Sequence, residues 1–338
     1  MKVLLTGHQG YLGTVMAPVL TAAGHDVVGL DTGWFAGNVL GPVPADPPTL
    51  TRDLRDVTVA DLEGFDAVIH LAALSNDPLG SLAPEITYDI NHHASSRLAR
   101  LAKDAGVRRF LYSSTCSVYG AAGSGLVAED AELAPVTPYA ISKVRVESDL
   151  LQLADDAFTT VSLRNATAFG FSPRLRADIV LNNLVGYALL TGEVLVKSDG
   201  TPWRPLVHAG DIADVFAAAL VAPDESVQGM ALNVGDESNN VTVAEIAEAV
   251  AAETGASVRI TGEAGNDPRS YRVDFALLRA TLPSVRVRHS ILDGARELVA
   301  AYREHGLTRD AFETRFVRLA RIRELQEVGA LDAGLRAP

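Results

Sequence analysis

Glycines at positions 7, 10 and 13, in "TGHQGYLGTV", follow directly on the apolar run "KVLL". A backbone without Cβ atoms can turn tightly and approach an anion closely. Where such a turn leads from a strand into a helix, main-chain N–H groups and the helix dipole face the anion. Asp31 stands at the tip of the next apolar run, "DVVGLD". There a carboxylate would accept from both hydroxyls of an adenosine ribose, so Gly7, Gly10, Gly13 and Asp31 together suit a dinucleotide. The charge on Asp31 repels a 2′-phosphate and no arginine adjoins it, which favours NAD over NADP. Asp53 and Leu54, at a later strand end, could clamp an adenine, and Leu71, Ala72 and Ala73 in "HLAA" could line the pyrophosphate. The plain alternative, a strand-to-helix turn with no ligand, leaves the placing of Asp31 unexplained.

A second group of residues could move protons. In "PYAISK", Tyr139 and Lys143 stand four apart, so on a helix their side chains meet on one face. Upstream, "LYSSTCSVYG" puts Thr115 24 residues before Tyr139, at a strand end. With the glycines spaced G-x-x-G-x-x-G, these motifs in this order resemble the extended short-chain dehydrogenase/reductase family, in its nucleotide-sugar epimerase and dehydratase branch. The likeness runs over about residues 1 to 290. It implies Thr115, Tyr139 and Lys143 as the catalytic residues, NAD as cofactor and a nucleotide-diphosphate sugar as substrate. A free tyrosine, with a pKa of about 10, is a poor base at neutral pH. A neighbouring lysine ammonium and a positive nicotinamide ring both favour phenolate. Tyr139 is therefore the expected general base, Thr115 the partner on the same oxygen, and Lys143 a holder of the nicotinamide ribose as well. The resemblance adds Tyr11, Leu12, Asn91 and Ser113 at the cofactor and Ser75, Thr115, Thr167, Asn183, Arg204 and Arg269 at the substrate.

Departures from the family pattern bear on the reaction. The 4,6-dehydratases carry Asp-Glu directly after the catalytic threonine, to expel a 6-hydroxyl, whereas this chain has Cys116-Ser117. The decarboxylase branch has a glutamate where Ser117 stands, and GDP-sugar 3,5-epimerases a cysteine there; here the cysteine falls one residue earlier and is expected to be inert. Plain oxidation and reduction remain, either as an epimerase acting at C4 through a 4-keto sugar or as a 4-ketoreductase. A retained NAD suits the epimerase. Relatives that only sense NAD(P) typically lose the Tyr and Lys kept here. "NNLV", with Asn183, and "DGTPWRPLVHAGDIA", with Arg204, resemble segments that meet the substrate's diphosphate, and "DPRSYRVD" offers Arg269 beside Arg272. Guanidinium forks match diphosphate geometry. Epimerases of UDP-glucose usually show an asparagine where Thr167 falls, which points to a less common sugar. His92, His93 and His208 show no metal-ligand spacing and read as structural, so no metal is expected.

Short apolar strands must position these residues. "KVLLT", "DVVGL", "DAVIHLAA", "RRFLYSS" and "FTTVSLRNA" read as buried strands, and "YLGTVMAPVLTAAG", "VTVADLEG", "NHHASSRLARLAKDAG" and "PYAISKVRVESDLLQLA" as helices between them. Such alternation predicts an α/β fold, here a Rossmann-type doubly wound parallel sheet with a smaller α/β substrate-binding lobe. Pro18 should cost the first helix a hydrogen bond and kink it. The expected division is residues 1–170 for the NAD-binding domain, with 205–225 returning to it. Residues 171–204 and 226–300 make the second lobe, and 301–338 a helical extension. "RFVRLARIRELQEVGALDAGLR" reads as an amphipathic helix packed on the second lobe or on a partner subunit.

The bulk numbers are compatible with this. Of 338 residues, 48% are hydrophobic and 21% charged, and the formal net charge of −13 opposes general binding to nucleic acid or an anionic membrane. One cysteine, Cys116, allows no internal disulfide and no cysteine zinc site, and suits a reducing cytoplasm. "MKVLLTG" is too short for the core of a signal peptide, and no apolar run approaches the ~18 residues of a membrane span. A cytoplasmic enzyme is expected, and the resemblance implies a homodimer.

Overall fold

The computed structural model describes residues 1–75, 83–121, 125–263 and 269–338. The early apolar runs form β1 (Lys2–Thr6), β2 (Asp26–Asp31), β3 (Thr49–Thr51), β4 (Ala67–His70) and β5 (Arg109–Thr115). After the two-residue β6 (Leu126–Val127) come β7 (Thr159–Asn165), β8 (Thr167–Phe169), β9 (Glu193–Val196), β10 (Trp203–His208) and β11 (Met230–Val234). Seven strands make one parallel sheet in the order β11-β7-β5-β4-β1-β2-β3. All residues of β4 and β7 are buried, as expected for a sheet covered on both faces. Helices α1 (Tyr11–Ala22), α2 (Ser95–Asp104), α3 (Pro138–Leu153), α4 (Val180–Thr191) and α5 (Ala209–Val221) follow the strands. α1 and α5 cover one face through Met16, Leu20 and Phe216, and α2 and α3 the other through Leu98, Val146 and Leu150. The doubly wound Rossmann-type fold read from the sequence is the fold observed.

The smaller lobe holds a three-stranded sheet of β8, β10 and β12 (Asn240–Thr242), and β9 paired with β13 (Ser257–Ile260). α4, α6 (Val243–Thr254) and α7 (Ile291–Glu304) pack there around Leu181, Val185, Ile246 and Leu298. A short β14 (Arg272–Val273) pairs with β6.

Three expectations need correction. β11 lies within the stretch 226–300 assigned to the second lobe, yet it is the outermost strand of the main sheet, because it pairs along its whole length with β7. "VTVADLEG" forms only a single 3-10 turn, Val59–Asp61, where Thr58 and Asp61 cap each other and close the segment after one turn. α1 is continuous through Pro18, which sits on its exposed side. The tail packs on the second lobe only where it begins, through Phe316 and Val317, and its helix α8 (Arg318–Glu327) goes on to cover the main domain. Leu319, Ile322 and Leu325, with Leu331 and Leu335, cover Trp34, Phe35, Leu74 and Ile90 of that domain. The loops after β2 and β4 leave those apolar side chains uncovered, and the helix spacing of the leucines and isoleucine fits them.

Candidate active site

β1 is the point where strand order reverses, and parallel sheets of this kind bind ligands outside the carboxyl ends of their strands at that point. A cavity of about 1000 Å³ opens there, and all the predicted site residues except Asn91 line it.

The glycine turn is sterically specified. Gly7 has φ +75°, and a Cβ on it would come within 2.8 Å of the Ala72 nitrogen. A Cβ on Gly13 would come within 2.3 Å of the Gly7 carbonyl oxygen. The Gly10 N–H donates to that oxygen at 3.0 Å, which closes the turn just ahead of Tyr11 and Leu12 at the start of α1. Tyr11 spends its hydroxyl on the Gly170 carbonyl at 2.7 Å. Asp31 accepts from the N–H groups of Gln9 at 3.0 Å and Gly33 at 2.9 Å, so its carboxylate is held at the mouth of the cavity. Leu71, Ala72 and Ala73 leave β4 beside the glycines; Thr6 Oγ1 accepts from the Ala72 N–H at 3.2 Å and is itself bonded to His70. Burial, aided by the charge of Lys143, lowers His70 to about 3, so its ring is neutral.

At the far end, burial raises the Asp53 carboxyl but hydrogen bonds from Arg55 hold it below the usual range. Leu54 is buried beside it. Asn91 stands apart from the lining: its side chain clasps the backbone of Leu74, accepting at 2.7 Å and donating at 3.0 Å. It shapes the loop that carries Ser75 and does not face the cavity.

Thr115 ends β5, and its Oγ1 accepts from the Ser117 N–H at 3.1 Å. Tyr139 lies in the first turn of α3 and Lys143 one turn on, its Nζ 5.6 Å from the Tyr139 ring centroid and 4.6 Å from that of Tyr112. Lys143 donates to the Ser113 carbonyl at 2.6 Å. Burial lowers its pKa to about 7, against the opposing pull of Glu147. Cys116 is buried with its thiol on the Arg164 carbonyl at 3.0 Å, and burial pushes its pKa up.

Asn183, also in the lining, donates to the Ala177 carbonyl at 2.8 Å. Arg204 donates to the carbonyls of Trp203, at 2.9 Å, and of Arg269. Arg269 donates to Ser117 Oγ at 3.3 Å. Thr167, on β8, faces the same space. Asp267 and Pro268 of the segment carrying Arg269 lie outside the described residues.

Sequence reading missed Arg176 and Asp178, which line the cavity as an ion pair with bonds of 2.9 and 3.0 Å. Arg176 also reaches Ser75 Oγ at 3.2 Å. Nothing in "SPRLRAD" distinguishes this pair from an exposed loop. It missed Arg318 as well, which lines the cavity from α8. The fold also gathers His208, Asp211 and His289, which sequence spacing gave no reason to group. Their ligand atoms are already engaged: His208 with Glu297 at 2.8 Å and the Gly210 N–H at 3.1 Å, and Asp211 with His289 at 3.0 Å. They join α5 to the start of α7. Among the described residues no helix is long and apolar enough to cross a membrane.

Comparison with known proteins agrees with this geometry. Residues 3–235 match the model of the NAD dependent epimerase/dehydratase family. Over 274 residues the chain is 29% identical to the UDP-glucose 4-epimerase of Streptomyces lividans, covering 75% of this chain and 81% of that one. MoeE5 in complex with UDP-glucuronic acid and NAD is similar in structure, with a TM-score of 0.79 and 26% identity over 90% of this chain and 99% of that chain. DesIV, a dTDP-glucose 4,6-dehydratase from Streptomyces venezuelae with NAD and TYD bound, gives a TM-score of 0.79 and 27% identity, covering 92% of this chain and 100% of that chain.

Proposed function

The chain belongs to the NAD-dependent epimerase/dehydratase family, and on that premise we propose that it is a nucleotide-sugar epimerase that inverts C4 through a transient 4-keto sugar. The observation that carries this reading is the character of the two residues after Thr115. Cys116 is buried on a carbonyl and Ser117 offers a hydroxyl that meets Arg269, so neither residue following Thr115 is a carboxylate that could expel a 6-hydroxyl. Similar proteins include both an epimerase and a dehydratase, and the missing acid pair favours the first.

The residues present fit the cofactor. The glycine cradle admits no Cβ at 7 or 13, and it opens on the N-terminus of α1, where main-chain N–H groups of Tyr11 and Leu12 suit a pyrophosphate. Asp31 would hold the adenosine ribose, Asp53 and Leu54 the adenine, Leu71 to Ala73 the opposite side of the pyrophosphate, and Ser113 and Lys143 the nicotinamide ribose. When bound, NAD supplies the hydride acceptor and donor.

The chain's own part is proton transfer and positioning. Tyr139 takes the proton of the C4 hydroxyl and later returns one to the C4 oxygen of the inverted sugar, Thr115 steadies that oxygen, and the Lys143 ammonium favours phenolate. Asn183, Arg204 and Arg269 would anchor the diphosphate, which leaves the sugar free to turn between the two transfers, with Ser75 and Thr167 beside it. The test is to incubate the purified protein, with no added cofactor, with UDP-, dTDP-, GDP-, ADP- and CDP-sugars and follow products by mass spectrometry and NMR. An isobaric product inverted at C4 is expected. Reduction of 4-keto sugars, seen only when NAD(P)H is supplied, would replace this reading with a ketoreductase.

A further inference from the structure

Arg318 is 3% exposed, yet it lines the cavity, and its Nη1 has no partner among the described residues. Its other direct contacts are a carbonyl and a ring, and the nearby carboxylates of Asp178 and Asp31 offset its burial only in part. Nη2 donates to the Arg174 carbonyl at 3.3 Å, and the guanidinium lies 4.1 Å from the centroid of Phe35. A buried cation with an unmet donor is costly, and such a group points to a ligand that meets it. Burial, reinforced by the charge of Arg176, lowers its pKa to about 9.

The surroundings locate that ligand. Arg174, whose carbonyl holds Arg318, donates Nη1 to Thr14 Oγ1 in the first turn of α1 at 3.0 Å. The chain around Arg318 is tied to the loop after Asp31: Arg321 donates to the Trp34 carbonyl at 3.2 Å, and Asn38 to the Arg315 carbonyl at 2.5 Å. Further on, Arg55 binds Asp53 at 2.7 Å and the carbonyls of Gly334 and Leu335 at 2.8 and 2.7 Å. Arg336 pairs with Asp56 at 2.6 Å. The extension thus runs from the Asp31 loop to Asp53, along the adenosine side of the cavity, and it lies wholly beyond the residues that match the family.

We propose that Arg318 is a cofactor-binding residue whose Nη1 donates to the pyrophosphate of the dinucleotide, across from the N-terminus of α1, and that the C-terminal extension is the outer wall of the adenosine half of the site. This rests on reading the cavity as an NAD site. Adenosine itself is uncharged, whereas a diphosphate offers the anionic oxygens that a guanidinium fork prefers.

The test uses full-length wild type, Arg318→Met and Arg318→Lys, freed of bound nucleotide and titrated calorimetrically with NAD, ADP-ribose, NADP, adenosine and UDP. Loss of a charge-assisted hydrogen bond should weaken NAD and ADP-ribose binding by about 10–100-fold in Arg318→Met, leave adenosine and UDP unchanged, and be partly restored in Arg318→Lys. The melting temperature of nucleotide-free Arg318→Met should equal or exceed that of wild type, since a buried and only partly compensated charge has gone. Unchanged NAD affinity overturns the proposal. So does a loss confined to NADP, which marks a 2′-phosphate contact, or to UDP, which marks a substrate contact. An equal loss for adenosine with a lowered melting temperature overturns it by making Arg318 structural. If wild type binds neither NAD nor ADP-ribose, the cofactor reading fails with it.

Discussion

Lys143 donates to the main-chain carbonyl of Ser113 at 2.6 Å, and so α3 is fastened by its second turn to the end of β5. With the bond from Ser114 to Glu147, it fastens α3, and so Tyr139 one turn earlier, to the strand that presents Thr115. Tyr139 and Thr115 line the same cavity as Thr167 and Asn183.

Tyr139→Phe keeps the ring and removes the group that would carry the proton. Turnover should fall by roughly 10²–10⁴-fold while NAD affinity and melting temperature stay at wild-type values. Steady-state kinetics and calorimetry on the same preparation check this, and undiminished turnover would remove Tyr139 from the mechanism.

Lys143 also gives stability a pH dependence of known sign. Its pKa is about 7 in the folded chain, below its ordinary value of 10.5. Between these limits the unfolded chain holds a proton that the folded chain does not, so stability rises with pH from about 7 towards 10.5, by up to about 1.4 kcal/mol per pH unit. Below pH 7 both states are charged and the full cost of burying the ammonium is borne. Urea unfolding of the cofactor-free protein at pH 7, 8 and 9 should show this rise in wild type relative to Lys143→Met. A difference that stays flat with pH contradicts the assignment.

The glycine cradle was legible in the sequence because its steric demand is local. Strand, turn, helix and Asp31 are contiguous, and the periodicities of two and 3.6 mark the boundaries. Thr115, Tyr139 and Lys143 were legible because a strand end and one helix face suffice to place them. What was not legible depends on pairings distant in the chain. β11 reads like any short apolar run until β7 takes it as a neighbour. Arg176 and Asp178 pair two residues apart, which in sequence looks like a solvated loop, and only folding brings Arg176 to Ser75. Asn91 had the right type for a cofactor contact, but its side chain is taken by Leu74.

Gly13→Ala tests the cradle itself. A Cβ there would lie 2.3 Å from the Gly7 carbonyl and 2.5 Å from the Cα of His8, both backbone atoms that cannot swing aside. The turn must open, so NAD binding should weaken by more than ten-fold or the protein should lose solubility, whereas Gly37→Ala, where a Cβ meets nothing within 4 Å, should be neutral in both. Equal NAD affinity in the two variants would show that the turn does not hold the cofactor.

Glu147 lies one turn beyond Lys143, buried against Arg164, which donates to it at 2.8 Å through Nη2 and at 3.1 Å through Nε. Removing one partner of a buried pair leaves an uncompensated charge and costs about 3–5 kcal/mol. Glu147→Ala should therefore lower the melting temperature by several degrees, and Arg164→Ala should do the same. The variant has a second signature. Glu147 opposes the effect of burial on Lys143, so its loss should lower the lysine further, moving the onset of the pH-dependent stability to a lower pH.

Arg204 and Arg269 are expected to share the substrate's diphosphate, and they are mechanically coupled before any substrate arrives. Arg204 donates to the main-chain carbonyl of Arg269, so truncating Arg204 also releases the segment that aims Arg269 at Ser117. Each single alanine variant should raise KM for the nucleotide sugar by roughly 10–100-fold, with kcat changed far less, because these bonds are made equally in ground and transition states. The double variant should lose less than the product of the two single effects, since the first substitution already spoils the second contact. KM and kcat for the four proteins close the cycle. Strictly multiplicative losses would mean that the two arginines act independently, and a fall in kcat with KM unchanged would place them at the reacting sugar and not at its diphosphate.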